Sequence, residues 1–435
     1  MKALLKKLIC YDRLYPMLKN SVVYHLYKKS QASIASLLYG NPANGFFIIG
    51  VTGTNGKTTT VSLLHKIFND HLAPTVSIST ADIRIGDKKI TNTKKMTSLD
   101  AFDLQSLLST AKNNGCKIAI LETSSQGLDQ HRFEGIEFDV AVLTNITHDH
   151  LDYHGGIEAY AESKKLLFKN VLSNSKQNKI WVFPADDSYG RKRFEEMPFD
   201  KKLNYSRQAS SILKATQIIE YLDHTEFVFS YLGKLYRSST KLLWAYNVNN
   251  ILAAIAVAIQ IWLDIPTILP SIEAFDGVEG RLQAKEIKGV NCFVDFAHTP
   301  DALEKTLSFL AGQKREKKLI TVFGCPGNRD KEKRPIMWEI ARKYSDVSIC
   351  TDDDPSTENR LKILDDLSNP LQDKSLSSEK SAYVIPERRY AIQLAMDLAQ
   401  PGDIIVLAGK GHETIQLTNF WKRTWNDYQV LSSLI

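Results

Sequence analysis

Residues 50–59 read Gly-Val-Thr-Gly-Thr-Asn-Gly-Lys-Thr-Thr, after an apolar strand-like run and before a helical one from Thr59 to Asn69. Glycine-rich backbone at such a junction can turn its N–H groups onto phosphate oxygens, and the helix N-terminus adds the positive end of its dipole. Lys57 can reach the terminal phosphates and the Thr58 hydroxyl can ligate Mg²⁺. The first glycine of the usual longer loop is Val51 here, so the match is to the shorter form Gly53-Thr54-Asn55-Gly56-Lys57-Thr58, followed by Thr59. The chemistry implied is the binding of nucleotide phosphates.

Two further clusters follow apolar runs. Glu122-Thr123-Ser124-Ser125 falls at the carboxyl end of a strand-like segment, where ligand crevices form in open α/β sheets. Its carboxylate can hold a second metal, although taken alone Glu122 is more often a strand-end surface residue. Thr144 to His154 contains His148, Asp149, His150, Asp152 and His154, a metal- or phosphate-site composition. His148, His150 and His154 also have a spacing compatible with zinc, but the phosphate loop and Glu122 call for Mg²⁺ and its oxygen ligands.

The elements that must position these residues alternate between strand and helix, the pattern of an α/β fold. Phe46–Val51, Thr75–Ser79, Ile118–Leu121 and Val140–Leu143 read as strands of one sheet. Cys292–Val294, Leu319–Phe323, Val347–Cys350 and Ile404–Leu407 read as strands of another, with the Gly-rich stretch 276–281 as a hinge between the two sets. The fold class expected is α/β: a central P-loop ATPase domain with a mostly parallel sheet over residues 46–282, then a C-terminal Rossmann-like α/β domain over 283–435. Residues 1–45 are expected to form a short N-terminal helical segment, ended by the turn cluster 41–45. Leu371–Lys380 reads as a polar loop.

Composition narrows the class of protein. With 435 residues, 43% hydrophobic and 24% charged, the chain is an ordinary globular sequence, not a disordered, collagenous or coiled-coil one. Fifty-five basic residues against 49 acidic give +6, too mild and dispersed for a nucleic-acid partner. Five scattered cysteines with no CxxC pair disfavour a disulfide scaffold and fit a reducing compartment. The apolar stretch Ile251–Trp262 is shorter than the roughly 20 residues of a membrane span, so it reads as a buried helix. Asp12 and Arg13 interrupt any signal-peptide core, and the location expected is cytoplasmic. Before Ser30 the N-terminus carries seven Lys/Arg against one Asp. It reads as short helices packed on the body, with contact to an anionic membrane surface as the sharper alternative.

Taken together, these motifs resemble the Mur ligases, the ATP-dependent amino-acid ligases of peptidoglycan assembly. The most similar branch is UDP-N-acetylmuramoyl-dipeptide:amino-acid ligase. The likeness runs from about Phe46 to Tyr428 and includes Tyr160-x-x-Ser-Lys164, Asn247-Val-x-Asn250, Gly280-Arg281, Asp295-Phe-Ala-His298, the stretch from Phe323 to Arg334, Asp353-Asp354-Pro355 and Ala408-Gly-Lys-Gly-His-Glu413.

The resemblance implies a reaction in which ATP phosphorylates a substrate carboxylate and an incoming amine attacks the acyl phosphate. It implies ATP and Mg²⁺ as cofactors, with Lys57 clamping the β/γ-phosphates, Thr58 on one Mg²⁺, and Glu122 and His150 on another. Lys164 matches the family lysine that becomes carbamylated, an anion able to ligate that second Mg²⁺. Asn247, Asn250, Arg281, Asp295 and His298 resemble the nucleotide-contacting set. Thr97, Ser98, Ser124, Gln130 and Arg132 fall where the family grips a UDP-muramoyl peptide. Arg329, Asp354, Gly409 and Glu413 fall where it holds the incoming amino acid.

Some positions depart from the family pattern. About 45 residues precede the phosphate loop, where the family normally carries a domain for the uridine diphosphate. Gln126 stands for a common His, Pro326 for a Gly, and Ser356 for the Arg of an Asp-Asn-Pro-Arg motif. That Arg suits the distal carboxylate of meso-diaminopimelate. With Ser356 after Asp352, Asp353 and Asp354, L-lysine or another diamino acid without a distal carboxylate is expected instead, unless Lys333 or Arg334 replaces the Arg. The function expected is therefore ligation of a diamino acid to a UDP-N-acetylmuramoyl peptide by a monomeric enzyme. The alternatives are a ligase for another carboxylate, in the manner of folylpolyglutamate or cyanophycin synthetases, and a non-catalytic nucleotide-binding subunit.

Overall fold

The computed structural model describes residues 21–92, 94, 96–147, 151–194, 196–368, 380–418 and 421–434. The chain divides after Asp276 into two compact units, with residues 221–223 grouped with the second.

The first unit is built on an eleven-stranded sheet in the order β11-β10-β9-β8-β7-β6-β1-β5-β2-β3-β4. Its parallel centre comprises β1 (Phe47–Thr52), β2 (Thr75–Ile78), β5 (Ile118–Glu122), β6 (Val140–Leu143), β7 (Ile180–Pro184), β8 (Lys201–Ser206) and the start of β9 (Leu213–Glu220). Strands β5, β6 and β7 are buried throughout, as parallel strands covered by helices on both faces must be. The continuous apolar runs of β5 and β6 are why the sequence reads those two so directly; β7, equally apolar, is not among the strands read from it.

The antiparallel edges are β3 (Asp82–Ile85) and β4 (Lys88–Thr91) on one side, β10 (Thr225–Tyr231) and β11 (Lys234–Thr240) on the other. These strands, like β8 and β9, were not singled out from sequence. Strands β9, β10 and β11 carry polar residues at open positions, and β4 is exposed along its whole length.

Helix α1 (Val22–Leu38) begins at Ser21, whose hydroxyl accepts from the Tyr24 N–H (3.2 Å). Helix α2 (Lys57–His71) follows the glycine-rich loop, and α3 (Ala101–Asn113) precedes β5. A short α4 (Ser125–Asp129) and α5 (Leu151–His154) lead to α6 (Ile157–Ser173) and α7 (Ser188–Phe194). The apolar run expected to be a buried helix is α8 (Ala245–Gln260). Residues 251–258 are buried on every side, against α2 and across β7–β9. Alanines at 253, 254, 256 and 258 allow that close packing on all faces. Helix α9 (Ile265–Glu273) closes the unit, capped by the Asp264 carboxylate.

The second unit carries a six-stranded sheet in the order β12-β13-β17-β14-β15-β16. These are β12 (Gln283–Ile287), β13 (Val290–Asp295), β14 (Leu319–Phe323), β15 (Val347–Cys350), β16 (Ser381–Val384) and β17 (Ile404–Ala408); all pairs are parallel except β12 with β13. Helices α10 (Pro300–Gln313), α11 (Lys333–Tyr344), α12 (Arg360–Ser368), α13 (Arg388–Leu398) and α14 (Asp427–Ser432) cover it, and β18 (Ile415–Leu417) pairs with β19 (Lys422–Thr424). Residues 277–282, placed before the second domain by the sequence reading, group with this unit. The Leu282 N–H donates to the Asp295 carboxylate (2.7 Å) there. Most of the polar stretch 371–380 lies outside the described residues. Among the described residues no helix is long and apolar enough to cross a membrane.

Among the described residues of this unit, Arg334, Arg342, Arg388 and Lys410 are buried. Arg388 and Asp427, both without exposed side-chain surface, form a two-pronged pair, Nε to Oδ1 at 2.9 Å and Nη2 to Oδ2 at 2.6 Å. Arg388 also donates to the Ala408 carbonyl and Trp425 Nε1 to Asp427, so one pair ties α13, the end of β17 and the C-terminal helix together. Removing one partner of a buried pair strands the other charge. Asp427→Asn is therefore expected to destabilise this unit by about 3–5 kcal/mol, read as a lower urea midpoint by Trp425 fluorescence; a loss within the error of the extrapolation would show the pair to be energetically neutral.

Candidate active site

The glycine-rich loop sits where the sequence puts it, between β1 and α2, and its shape depends on two bare backbone positions. Gly53 has φ +147° and Gly56 φ +84°. A Cβ on Gly53 would come within 1.8 Å of Thr144 Oγ1, and one on Gly56 within 2.1 Å of Asn250 Oδ1. Both glycines are thus required by close approach as well as by conformation.

The segment after β6 clamps this loop. Asn145 accepts the Thr54 N–H through its carbonyl and the Asn55 N–H through its side-chain oxygen, both at 2.9 Å. The Thr144 hydroxyl donates to the Asn55 carbonyl (2.6 Å), and the Thr54 hydroxyl oxygen accepts the Thr147 N–H (2.9 Å). This clamp is held from below by Asp187, which accepts the Ile146 N–H (2.7 Å) and whose carboxyl is pushed up by burial. Thr144 and Asn145 open the segment 144–154 marked from sequence as a metal or phosphate site, but neither has a role of its own there, and Asp187 is not singled out at all. Their signal was weak, an Asn and an Asp just beyond strand ends, and only the fold brings them together.

Two ammonium groups meet at the loop. Lys57 Nζ donates to the carbonyls of Gly53 (3.0 Å) and Thr54 (2.8 Å). Lys164 Nζ donates to the same Gly53 carbonyl (2.8 Å), lies 4.2 Å from the centre of the Tyr160 ring, and is 1% exposed. It stands on the buried face of α6 with Tyr160, Leu167, Phe168 and Val171. A plain surface lysine is thereby excluded.

Glu122, at the end of β5, is buried too. It accepts the Thr58 hydroxyl (3.0 and 3.2 Å) and both the N–H and hydroxyl of Thr80 (2.7 and 3.0 Å). The surface-residue alternative for Glu122 falls. Thr80 was missed, although its place just past β2, the neighbour of β5, was the available signal.

From Glu122 the hydrogen bonds run on through the remaining first-unit residues. The Thr80 and Thr97 hydroxyls meet (3.1 Å), Ser98 donates to the Glu122 carbonyl and meets Ser124 (2.9 Å), and Arg132 donates to the Ser98 carbonyl (2.5 Å) and to Gln130 (2.7 Å). The five residues Thr97, Ser98, Ser124, Gln130 and Arg132 are thus brought together along one edge of the glutamate. Asn247 and Asn250 join each other (2.7 Å) at the start of α8, beside Gly56. His150 lies outside the described residues, as does His148. His154 meets Ser125 (3.0 Å) and Ser163 (3.1 Å) through its two ring nitrogens.

In the second unit, Asp295 accepts from the Leu282 and Ala297 N–H groups and from the Thr306 hydroxyl, and burial pushes its carboxyl up. Its oxygens hold backbone in place. The Arg281 guanidinium covers the Phe296 ring (4.8 Å), which also faces His298 (4.5 Å).

Asp353, Asp354 and Glu413 converge with Gly409, the Cβ position of which is 3.2 Å from Asp353. The middle of that acidic group is filled by Lys410, fully buried, with Asp354 at 2.7 Å, Glu413 at 2.5 Å and Asp353 at 3.6 Å. Lys410 lies inside the Ala408–Glu413 motif, but the sequence reading gives it no role. Asp352 pairs with Arg360 (2.5 Å). Arg334 is fully buried between Glu358 and Asp366, so it cannot replace the Arg missing at Ser356, and Lys333 donates to the His298 carbonyl. Arg329 is exposed in the loop after β14.

Residues 51–258 match the Mur ligase middle domain and residues 280–411 the Mur ligase glutamate ligase domain. The chain is 36% identical over 414 residues to the UDP-N-acetylmuramoyl-L-alanyl-D-glutamate--2,6-diaminopimelate ligase of Geobacter metallireducens, covering 92% of this chain and 80% of that one. Its counterpart in Lactiplantibacillus plantarum is 36% identical over 405 residues, with the same coverage. A solved structure of such a ligase superposes with a TM-score of 0.65 at 33% identity, over 90% of this chain and 78% of that one. The folylpolyglutamate synthase of Mycobacterium tuberculosis, solved with ADP and AMPPCP, superposes with a TM-score of 0.70 at 17% identity, over 88% of this chain and 92% of that one; it shares the fold alone. With its glycine-rich loop, its two sheets and relatives over nine-tenths of its length, this chain belongs to the Mur ligase family of ATP-dependent, amide-bond-forming ligases.

Proposed function

We propose that this ligase joins a diamino acid to a carboxylate of a UDP-N-acetylmuramoyl peptide, after ATP has activated that carboxylate as an acyl phosphate. The observation that carries the reading is the convergence of Lys57, Thr58, Glu122 and Lys164 on one short stretch, Gly53 to Thr58. A module that only bound nucleotide would have no use for the second pair.

Phosphoryl transfer needs positioning and neutralisation of charge more than covalent help. The Lys57 ammonium, now resting on two loop carbonyls, is long and mobile enough to turn to the β/γ-phosphates. The Thr58 hydroxyl and the Glu122 carboxylate are hard oxygen donors, the donor type Mg²⁺ takes, so the residues fit one such ion at Thr58 and a second at Glu122. When bound, Mg²⁺ would spread the negative charge of the transferring phosphoryl group. His150 would complete the Glu122 site. Lys164, carbamylated, would supply it with an anion. Thr97, Ser98, Ser124, Gln130 and Arg132 offer hydroxyl, amide and guanidinium groups suited to the peptide of the muramoyl substrate.

The relatives above are named for 2,6-diaminopimelate, but the second unit of this chain favours a diamino acid with a single carboxylate. Ser356 brings no charge, Arg334 and Lys410 are buried on carboxylates of the chain, and Arg360 is committed to Asp352. Arg329 remains to hold one carboxylate, with Asp354 and Glu413 to receive ammonium groups.

Lys57→Ala should lower ATP-dependent phosphate release by roughly 10²–10³ with an unchanged circular dichroism spectrum; release within a few-fold of the parent would remove Lys57 from the site. Lys164→Ala should be inactive and regain part of its turnover in short carboxylates such as acetate, whereas Lys164→Arg should not. Equal failure of rescue in both variants would argue for an unmodified lysine.

Crossing candidate donors with amino acids tests the function itself. Phosphate release is expected only with a UDP-muramoyl peptide and a diamino acid together, and in direct competition L-lysine should be incorporated ahead of meso-diaminopimelate. The reverse preference would overturn the amino-acid assignment, and release with a pteroyl substrate and glutamate would overturn the donor.

A further inference from the structure

Helix α1 is amphipathic in the wrong sense for a surface helix. Its packed face is made of small residues: Ala32, Ala35 and Ser36 lie against Ala101 of α3 and against Gly135, whose missing Cβ leaves room for Ser36. His25 meets His131 (3.3 Å) and Lys29 pairs with Glu134 (3.4 Å), bracing the helix on the turn that carries Gln130 and Arg132. The outward face is apolar. Val22, Val23, Leu26, Tyr27, Ile34, Leu37 and Leu38 are each at least half exposed, between 50% and 76%. At 100° per residue they form one side of the helix, with Ser30 and Ser33 as the polar residues among them. Nothing in the ligation chemistry uses this face.

We infer that the outer face of α1 docks on an anionic lipid bilayer, lying in its surface without crossing it. The charge of the segment selects that occupant. Residues 1–29 hold Lys2, Lys6, Lys7, Arg13, Lys19, Lys28 and Lys29 against Asp12 alone. Such a segment is drawn to a negative leaflet, while an apolar helix face with flanking lysines and tyrosines is the composition that beds into the headgroup boundary. A second copy is a poorer partner for the same face, because its own basic segment would be brought alongside.

The test is sedimentation of the full chain with vesicles of phosphatidylglycerol and phosphatidylcholine in equal parts, against vesicles of phosphatidylcholine alone. Binding is expected to be roughly tenfold or more stronger on the anionic vesicles and to weaken as salt is raised. Leu26→Ser/Leu37→Ser and Lys6→Glu/Lys7→Glu should each reduce it, with ATP-dependent phosphate release unchanged, since none of these residues belongs to the catalytic groups. A fluorophore on Leu37→Cys should shift to the blue when anionic vesicles are added, which reads the helix face itself. Equal binding to both kinds of vesicle, or an unshifted label, overturns the inference. So does a dimer in sedimentation equilibrium that Leu26→Ser/Leu37→Ser dissolves, because a second copy would then cover the face.

Discussion

Between Gly53 and Gly56 the backbone has no room for a side chain, and most of the first unit is arranged around that fact. Thr144 presses on one glycine and Asn250 on the other. The approach is close because the segment after β6 and the start of α8 both have to reach the loop to hold it. The hydrogen bonds that hold the loop fall on its backbone: N–H groups donated to Asn145 and a Gly53 carbonyl shared by two lysines. A loop pinned on both sides is organised before any phosphate arrives, so binding costs little ordering of the protein. The Thr58–Glu122–Thr80 contacts extend the same economy to the carboxylate, which is oriented by three hydroxyl or amide donors in a buried setting.

The second unit solves a different problem, that of keeping carboxylates close together inside a protein. Burial pushes Asp352 and Asp353 up to about 6, even with Arg360, Arg388 and Lys410 nearby. Lys410 answers by sitting within reach of Asp353, Asp354 and Glu413 at once. Its ammonium is held firmly charged by those neighbours in spite of its own burial. The consequence is that Arg334, Arg388 and Lys410, buried in this region, are already satisfied by carboxylates of the chain.

Much of this was legible beforehand, for identifiable reasons. Buried parallel strands have continuous apolar runs, so β5, β6, β14, β15 and β17 could be placed to within a residue or so. The glycine-rich loop could be read because its function depends on a contiguous sequence. Strands β4 and β9 to β12 could not be placed, since each carries polar residues at open positions and its pairing partner is distant or defined by a turn. Thr80, Asn145, Asp187 and Lys410 were given no role for a similar reason: each acts through a residue tens of positions away, and a lone threonine or lysine carries no local pattern.

The sequence by itself determined the type of chemistry: phosphate-binding backbone, Lys57 and Thr58 beside it, and carboxylates and histidines at strand ends. It also determined the α/β class, because apolar period and strand-helix alternation are local properties. Only the tertiary structure decided that Glu122 and Lys164 are buried side chains and not surface ones. It alone decided that Arg334 is spent on an internal pair, and that α1 turns its alanines inward and its leucines outward. Burial and pairing depend on which distant segments fill the space around a side chain, and that information resides in the packing, not in the neighbouring residues.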